Sequence, residues 1–160
     1  ELLARNIQFV LLGSGDPAIQ DAYLDLQARF PEKVCARIGF DLALSHRIEA
    51  GSDFFLMPSR FEPCGLNQMY SLRFGTLPIV RRTGGLDDSV VDPREDEEHA
   101  DGIKFNEFSV GALSKAIKKA LVLYDHRDLF REMRRNAMVA DFSWGRTTQE
   151  YVKVYSSVLE

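Results

Sequence analysis

The sequence predicts an α/β fold: an open sheet of parallel strands with helices packed on its faces. Three observations carry the prediction. Short apolar runs rich in β-branched and aromatic residues alternate with longer segments of helical periodicity. The junctions between them hold Gly, Pro, Asp and Ser, which favour turns and helix caps. Strand and helix in regular alternation call for parallel strands joined by helical crossovers.

In chain order, Ile7 to Leu12 is the first strand and Gly13-Ser14-Gly15-Asp16 turns the chain. Pro17 suits the first turn of a helix running to about Phe30, and Pro31 stops it. Val34 to Ile38 is a second, short strand. Leu42, Leu44, Ile48 and Ala50 mark one face of a helix that ends at Gly51. Asp53 to Met57 is the third strand, closed by Pro58. A helix from Gly65 to Phe74 follows, with Gly75 as its C-terminal cap. Leu77 to Arg81 is the fourth strand, with Pro78 near its start. A short helix passes through Asp87, Asp88 and Ser89, and the acidic stretch Asp92 to Asp101 reads as a solvated surface loop. Gly102 to Phe105 is a last short strand. Ser109 caps a helix over Val110 to Tyr124 whose buried face is Leu113, Ile117, Ala120, Leu121 and Tyr124. Two more helices run from Arg127 to Ala140 and from near Ser143, the last with Tyr151, Val154, Tyr155 and Val158 at helical spacing.

The 160 residues suffice for one domain with its own apolar core. A 45% hydrophobic and 28% charged composition is that of a globular protein, and a net charge of −4 argues against nucleic acid or an anionic membrane as partner. No apolar run approaches the length of a membrane span, and no signal-peptide pattern opens the chain. Cys35 and Cys64 have no metal-ligand spacing and do not form a disulfide framework, which fits a reducing compartment. His46, His99 and His126 do not cluster with other ligands, so no metal is expected. There is no G-x-S-x-G and no evident acyl-transfer triad.

Ligands of open parallel sheets bind at the carboxyl ends of the strands. The loop after the third strand, Pro58 to Gln68, is the richest there. Two prolines stiffen it and a helix begins at or just after Gly65. The backbone N–H groups of Gly65, Leu66 and Asn67 at that helix start, backed by the helix dipole, suit a phosphate or diphosphate. Glu62 precedes them, placed to accept hydrogen bonds from sugar hydroxyls; the same residues also fit a well-capped helix start with a structural Glu. The next loop, Arg81-Arg82-Thr83-Gly84-Gly85-Leu86, repeats the design, with two arginines able to balance phosphate charge or to sit on the surface. Gly13-Ser14-Gly15 lacks the third glycine of a dinucleotide fingerprint. Phe40, after the second strand, offers a ring for a planar base to stack on, and a core position is the plainer alternative. Arg131, Arg134 and Arg135 read as a solvated helix face.

Two long segments carry a resemblance: Ser59-Arg60-Phe61-Glu62-Pro63-Cys64-Gly65-Leu66-Asn67-Gln68 and Gly75-Thr76-Leu77-Pro78-Ile79-Val80-Arg81-Arg82-Thr83-Gly84-Gly85-Leu86. With them the chain resembles bacterial glycogen synthases and plant starch synthases, and Gly13–Asp16, Ser45–Ile48 and Phe142-Ser143-Trp144 extend the likeness over nearly its whole length. The resemblance implies a Rossmann-like parallel sheet with flanking helices, the C-terminal half of a GT-B fold. It implies a retaining transfer of glucose from ADP-glucose to an α-1,4-glucan, with no cofactor beyond the substrate. It assigns Glu62 to the catalytic centre and Cys64, Gly65, Leu66 and Asn67 to the glucose and diphosphate. Phe40 falls to the adenine, and Thr83, Gly84 and Gly85 to the cleft nearby.

The pattern departs at two positions. Many retaining GT-B enzymes carry a second Glu eight residues after the first; Tyr70 stands there, as in glycogen and starch synthases. Asn67 stands where Thr is common. The family's N-terminal domain, with its Lys-x-Gly-Gly motif, and the first strand and helix of its C-terminal domain are expected to lie before Glu1. Residues 1–160 then form one N-terminally truncated nucleotide-sugar domain, with the helix at about 144–158 packing toward the other lobe. The expected partners are ADP-glucose or ADP and the glucan, in the cytoplasm of a bacterium or the plastid of a plant. The alternatives are a retaining GT-B enzyme using a UDP-sugar and a non-catalytic nucleotide-binding module.

Overall fold

The structure, a computed structural model, describes residues 2–159. After a 3-10 turn at Leu2–Ala4 come β1 (Phe9–Gly13), α1 (Pro17–Arg29), β2 (Val34–Ile38), α2 (Leu42–Gly51), β3 (Phe54–Met57), α3 (Asn67–Phe74) and β4 (Leu77–Arg81). Then follow α4 (Gly85–Ser89), β5 (Ile103–Phe105), α5 (Val110–Asp125), α6 (Arg127–Val139) and α7 (Trp144–Leu159). The α/β class with parallel strands flanked by helices is borne out. The strands pair in two sets rather than one, β1 with β2 and β3-β4-β5, because apolar periodicity specifies a strand but not its neighbour. The chain divides accordingly into two units, Glu1–Gly51 and Ser52–Glu160.

In the first unit β1 and β2 run parallel in register from Phe9 opposite Val34 to Gly13 opposite Ile38. The Asp16 carboxylate caps α1, accepting from the N–H groups of Ala18 (2.8 Å) and Ile19 (3.3 Å). That satisfies two donors the helix leaves open, while Pro17 has none to lose. The Gln27 side chain accepts from the Ala36 N–H at 2.6 Å and ties α1 to β2. Phe9 stacks on Tyr23 across the same helix and strand.

In the second unit β4 is the central strand, with Phe54–Met57 opposite Leu77–Val80 on one side and Ile79–Arg81 opposite Ile103–Phe105 on the other. Leu77 to Val80 are buried without alternation, as expected of a strand covered on both faces. Leu72, Leu77, Ile79, Ile103, Ala116, Ala120, Leu123, Phe130 and Met133 belong to its main core. Phe54, Tyr124 and Phe130 form an aromatic triangle at its edge, with centroids 5.3–6.5 Å apart. The smaller cluster of Val80, Leu86 and Val90 lies with Met57.

Two expectations are corrected. The buried stripe of α5 is Ala116, Ala120 and Leu123; Leu113 and Tyr124 pack against the same core as expected, while Ile117 and Leu121 are only half-buried. Small alanines let α5 lie close to β5, so the stripe is rotated from the one the largest apolar residues suggested. The acidic stretch after β4 is not solvated throughout: Asp92, Ala100 and Asp101 are buried. Asp92 accepts from the N–H groups of Arg94 (3.0 Å) and Lys104 (2.8 Å), from Arg94 Nε at 2.8 Å and from Lys119 Nζ at 3.1 Å. A carboxylate so supplied with donors tolerates burial.

Candidate functional site

The two glycine-bearing loops of the second unit meet at the carboxyl ends of β3 and β4. The Gly85 N–H donates to Pro63 O at 3.1 Å. A Cβ on Gly84 would overlap Glu62 O, and one on Gly85 would overlap the Cys64 backbone. Gly84 also has φ of +44°, a conformation that side chains resist. These glycines therefore let the Glu62–Cys64 backbone settle onto the second loop. Sequence reading gave them to a ligand directly; in the structure their first contact is the Glu62-bearing segment.

The carbonyls of that segment are held from within the protein. Arg81 Nε donates to Ser59 O at 2.7 Å, and Arg81 Nη2 donates to Arg60 O. Gln68 Nε2 donates to Cys64 O and Gly65 O, both at 3.1 Å. Peptide units are trans and planar, so a carbonyl pinned on one side aims the next residue's N–H to the other. With Pro63, Cys64 and Gly65 oxygens held inward, the N–H groups of Cys64, Gly65 and Leu66 face away from their anchors. Together with the Asn67 N–H they donate to no acceptor among the described residues. The N-cap position, Leu66, adds no side-chain hydrogen bond. Four such amides at the start of a helix form a row of donors that suits an anion.

Glu62 is half-buried beside this surface, and Ser59 Oγ donates to its Oε2 at 3.4 Å. Cys64, Leu66 and Asn67 are exposed. The structure thus brings together Glu62, Cys64, Gly65, Leu66, Asn67, Thr83, Gly84 and Gly85. Phe40 belongs to the first unit; it is 87% exposed, which removes the core alternative. α3 begins at Asn67, two residues later than expected, because Gly65 has φ of +76° and lies outside the helix.

Neither arginine of the second loop is a free counter-charge. Arg81 anchors backbone as described and lies over the Phe108 ring with Arg60. Arg82 pairs with Asp87 at 3.0 Å and with Glu95. Buried Lys104 pairs with the same two carboxylates, each at 2.9 Å. Burial works to raise the Glu95 carboxyl, but the Asp92 N–H, Lys104 and Arg82 outweigh it and bring it down to about 2. At Asp92 burial is likewise overcome, by Arg94, two backbone N–H groups and Lys119, which hold it well below the usual carboxylate range. Asp101 goes the other way: burial pushes it up to about 6, although it accepts from the Val91 N–H at 2.7 Å. Sequence reading missed Gln68 and Ser89; the spacing from Cys64 to Gln68, one helical turn, was the available signal.

Among the described residues no group of three His, Cys, Asp or Glu side chains is placed to hold a metal ion, and no helix is long and apolar enough to cross a membrane. No protein-family model matches the chain. Among curated proteins it is 49% identical over 158 residues to a glycogen synthase of Anaeromyxobacter sp. (strain Fw109-5), covering 99% of this chain and 33% of that protein. It is 43% identical over 159 residues to a glycogen synthase of Kosmotoga olearia, covering 99% of this chain and 34% of the relative. Among solved structures, the catalytic domain of starch synthase IV from Arabidopsis thaliana, bound to ADP and acarbose, is 38% identical with a TM-score of 0.80. That match covers 94% of this chain and 32% of the other. The chain therefore spans about a third of the length of the curated relatives it matches.

Proposed function

Given a chain related along nearly its whole length to about a third of the length of two glycogen synthases, and folded like part of a starch synthase, we propose that it is the nucleotide-sugar-binding part of a retaining glucosyltransferase. The donor is ADP-glucose and the acceptor an α-1,4-glucan. The observation that carries this is the row of unspent N–H groups from Cys64 to Asn67 beside Glu62.

As the bond from the anomeric carbon to the diphosphate breaks, negative charge grows on the leaving ADP and positive charge on the sugar. The fixed amides of Cys64, Gly65, Leu66 and Asn67 donate to the first and stabilise it without reorganising. The Glu62 carboxylate orients the glucose hydroxyls and balances the second. Thr83, Gly84 and Gly85 line the cleft on the other side; Phe40, exposed in the first unit, is the residue that the resemblance gives to the adenine. Transfer also needs a second lobe to close over donor and acceptor, excluding water and orienting the anomeric carbon. α7 is the surface for it: Trp144, Tyr151, Tyr155 and Val158 share one helix face and are all exposed.

Calorimetry with ADP-glucose and UDP-glucose tests the donor assignment. Tighter binding of ADP-glucose is expected. Preference for UDP-glucose would instead favour a UDP-sugar enzyme of the same fold, and indifference to every nucleotide sugar would favour a module with another role.

A further inference from the structure

Gln68, the second residue of α3, is fully buried, 0% exposed. Its Nε2 reaches three oxygens: Cys64 O and Gly65 O at 3.1 Å each, and Ser89 Oγ at 3.0 Å. Ser89 Oγ in turn donates to Gly85 O at 2.5 Å. One amide therefore links the start of α3, the loop that carries Glu62 and the end of α4, whose Ser89 hydroxyl carries the link on to the Gly85 carbonyl. Its other atom, Oε1, is buried and accepts no hydrogen bond among the described residues. A Cβ on Gly65 would stand 2.5 Å from that oxygen, and the φ of +76° there itself favours glycine. Turning the amide over would set Oε1 against two carbonyl oxygens, so the orientation is the one the surroundings require. Leaving a buried oxygen unpaired is costly, and the interior accepts that cost only where the opposite end of the side chain is needed.

We propose that Gln68 is a positioning residue of the anion site: its buried amide pins the Cys64 and Gly65 carbonyls inward and thereby aims the Gly65 and Leu66 N–H groups at the diphosphate. The proposal rests on the nucleotide-sugar reading given above. No other natural side chain does this in the same space. Glutamate is the same size but opposes two carbonyls with a third negative oxygen when ionised, and methionine has no donor. Ser89 braces Gln68 without touching the two carbonyls, so its hydroxyl matters less.

The test uses ADP as probe on the 160-residue chain, with 15N relaxation of the backbone amides and calorimetry on wild type, Gln68→Ala, Gln68→Glu and Ser89→Ala. In the wild type the Gly65 and Leu66 N–H vectors are expected to be as rigid as those inside α3. Gln68→Ala is expected to loosen both and to weaken ADP binding at least tenfold, with Ser89→Ala within about threefold of wild type. Gln68→Glu should bind ADP weakly at neutral pH and recover toward acid pH, where the protonated carboxyl regains a donor. That recovery reads the claim even if Gln68→Ala does not fold. Loosened amides in a chain whose wild type ignores ADP would support the positioning role and sink the nucleotide reading. A folded Gln68→Ala that keeps both amides rigid and binds ADP within twofold of wild type would overturn the proposal, as would a Gln68→Glu whose affinity does not move with pH.

Discussion

Gly84 carries two constraints at once: a φ of +44° and the Glu62 carbonyl where its Cβ would stand. Either alone disfavours a side chain, and the second couples the strain to the site. Gly84→Ala is expected to cost about 1–3 kcal/mol, read as a lower urea midpoint, and to displace the Glu62–Cys64 backbone so that ADP binds more weakly. Unchanged stability would mean that the two loops do not pack as described. Asp101 is expected to be visible in the pH profile. Its folded pKa of about 6 lies above the ordinary unfolded value, so the folded state binds the extra proton between the two. Its contribution is full below pH about 4 and is lost as pH rises through about 6. Asp101→Asn keeps an acceptor for the Val91 N–H and is expected to remove that decline, a relative gain of roughly 2 kcal/mol at pH 7. A wild-type and variant difference that stays constant from pH 4 to 7 would contradict it. Glu62, Cys64, Gly65, Leu66 and Asn67 were legible in the sequence because prolines, glycine and helix start coincide in one short loop. Arg81, Arg82 and Gln68 were not, since which acceptor a long polar side chain finds depends on the tertiary fold.

Among the elements, the helices with start or stop signals and the strands bounded by Pro or Gly were legible to within two or three residues, as Pro17 and the Gly75 and Ser109 caps illustrate. The stretch after α4 was not, because acidic composition says nothing of how many donors converge on one carboxylate. Asp92 gathers Arg94, Lys119 and two backbone N–H groups, joining that stretch to β5 and α5. Asp92→Asn keeps the shape and removes the charge. Because Arg94 and Lys119 are partly exposed and screened, the expected loss is about 2–3 kcal/mol rather than that of a wholly buried pair. Chemical denaturation checks it, and a loss under about 0.5 kcal/mol would show that the network contributes nothing net. The carboxylate's depressed pKa has the opposite sign from that of Asp101: its stabilisation is present above the ordinary carboxylate pKa and is lost on acidification.

For the whole molecule, the alternation of strand and helix made the α/β class legible, whereas the division into two- and three-stranded parallel sheets was not written in any local pattern. The chain's span of about a third of its relatives bears on activity. With donor-side residues alone and α7 uncovered, these 160 residues are expected to bind the nucleotide sugar without elongating a glucan. Incubation with ADP-glucose and glycogen checks this, and robust elongation would show that no second lobe is needed. The donor assignment holds only if the pinned loop offers its N–H groups to a nucleotide diphosphate. It is tested most directly by titrating the 15N-labelled chain with ADP-glucose and following the amide resonances. The expected result is saturable shifts concentrated at Cys64, Gly65, Leu66 and Asn67, and weaker ones with UDP-glucose; saturable binding that leaves those four amides unmoved would contradict it.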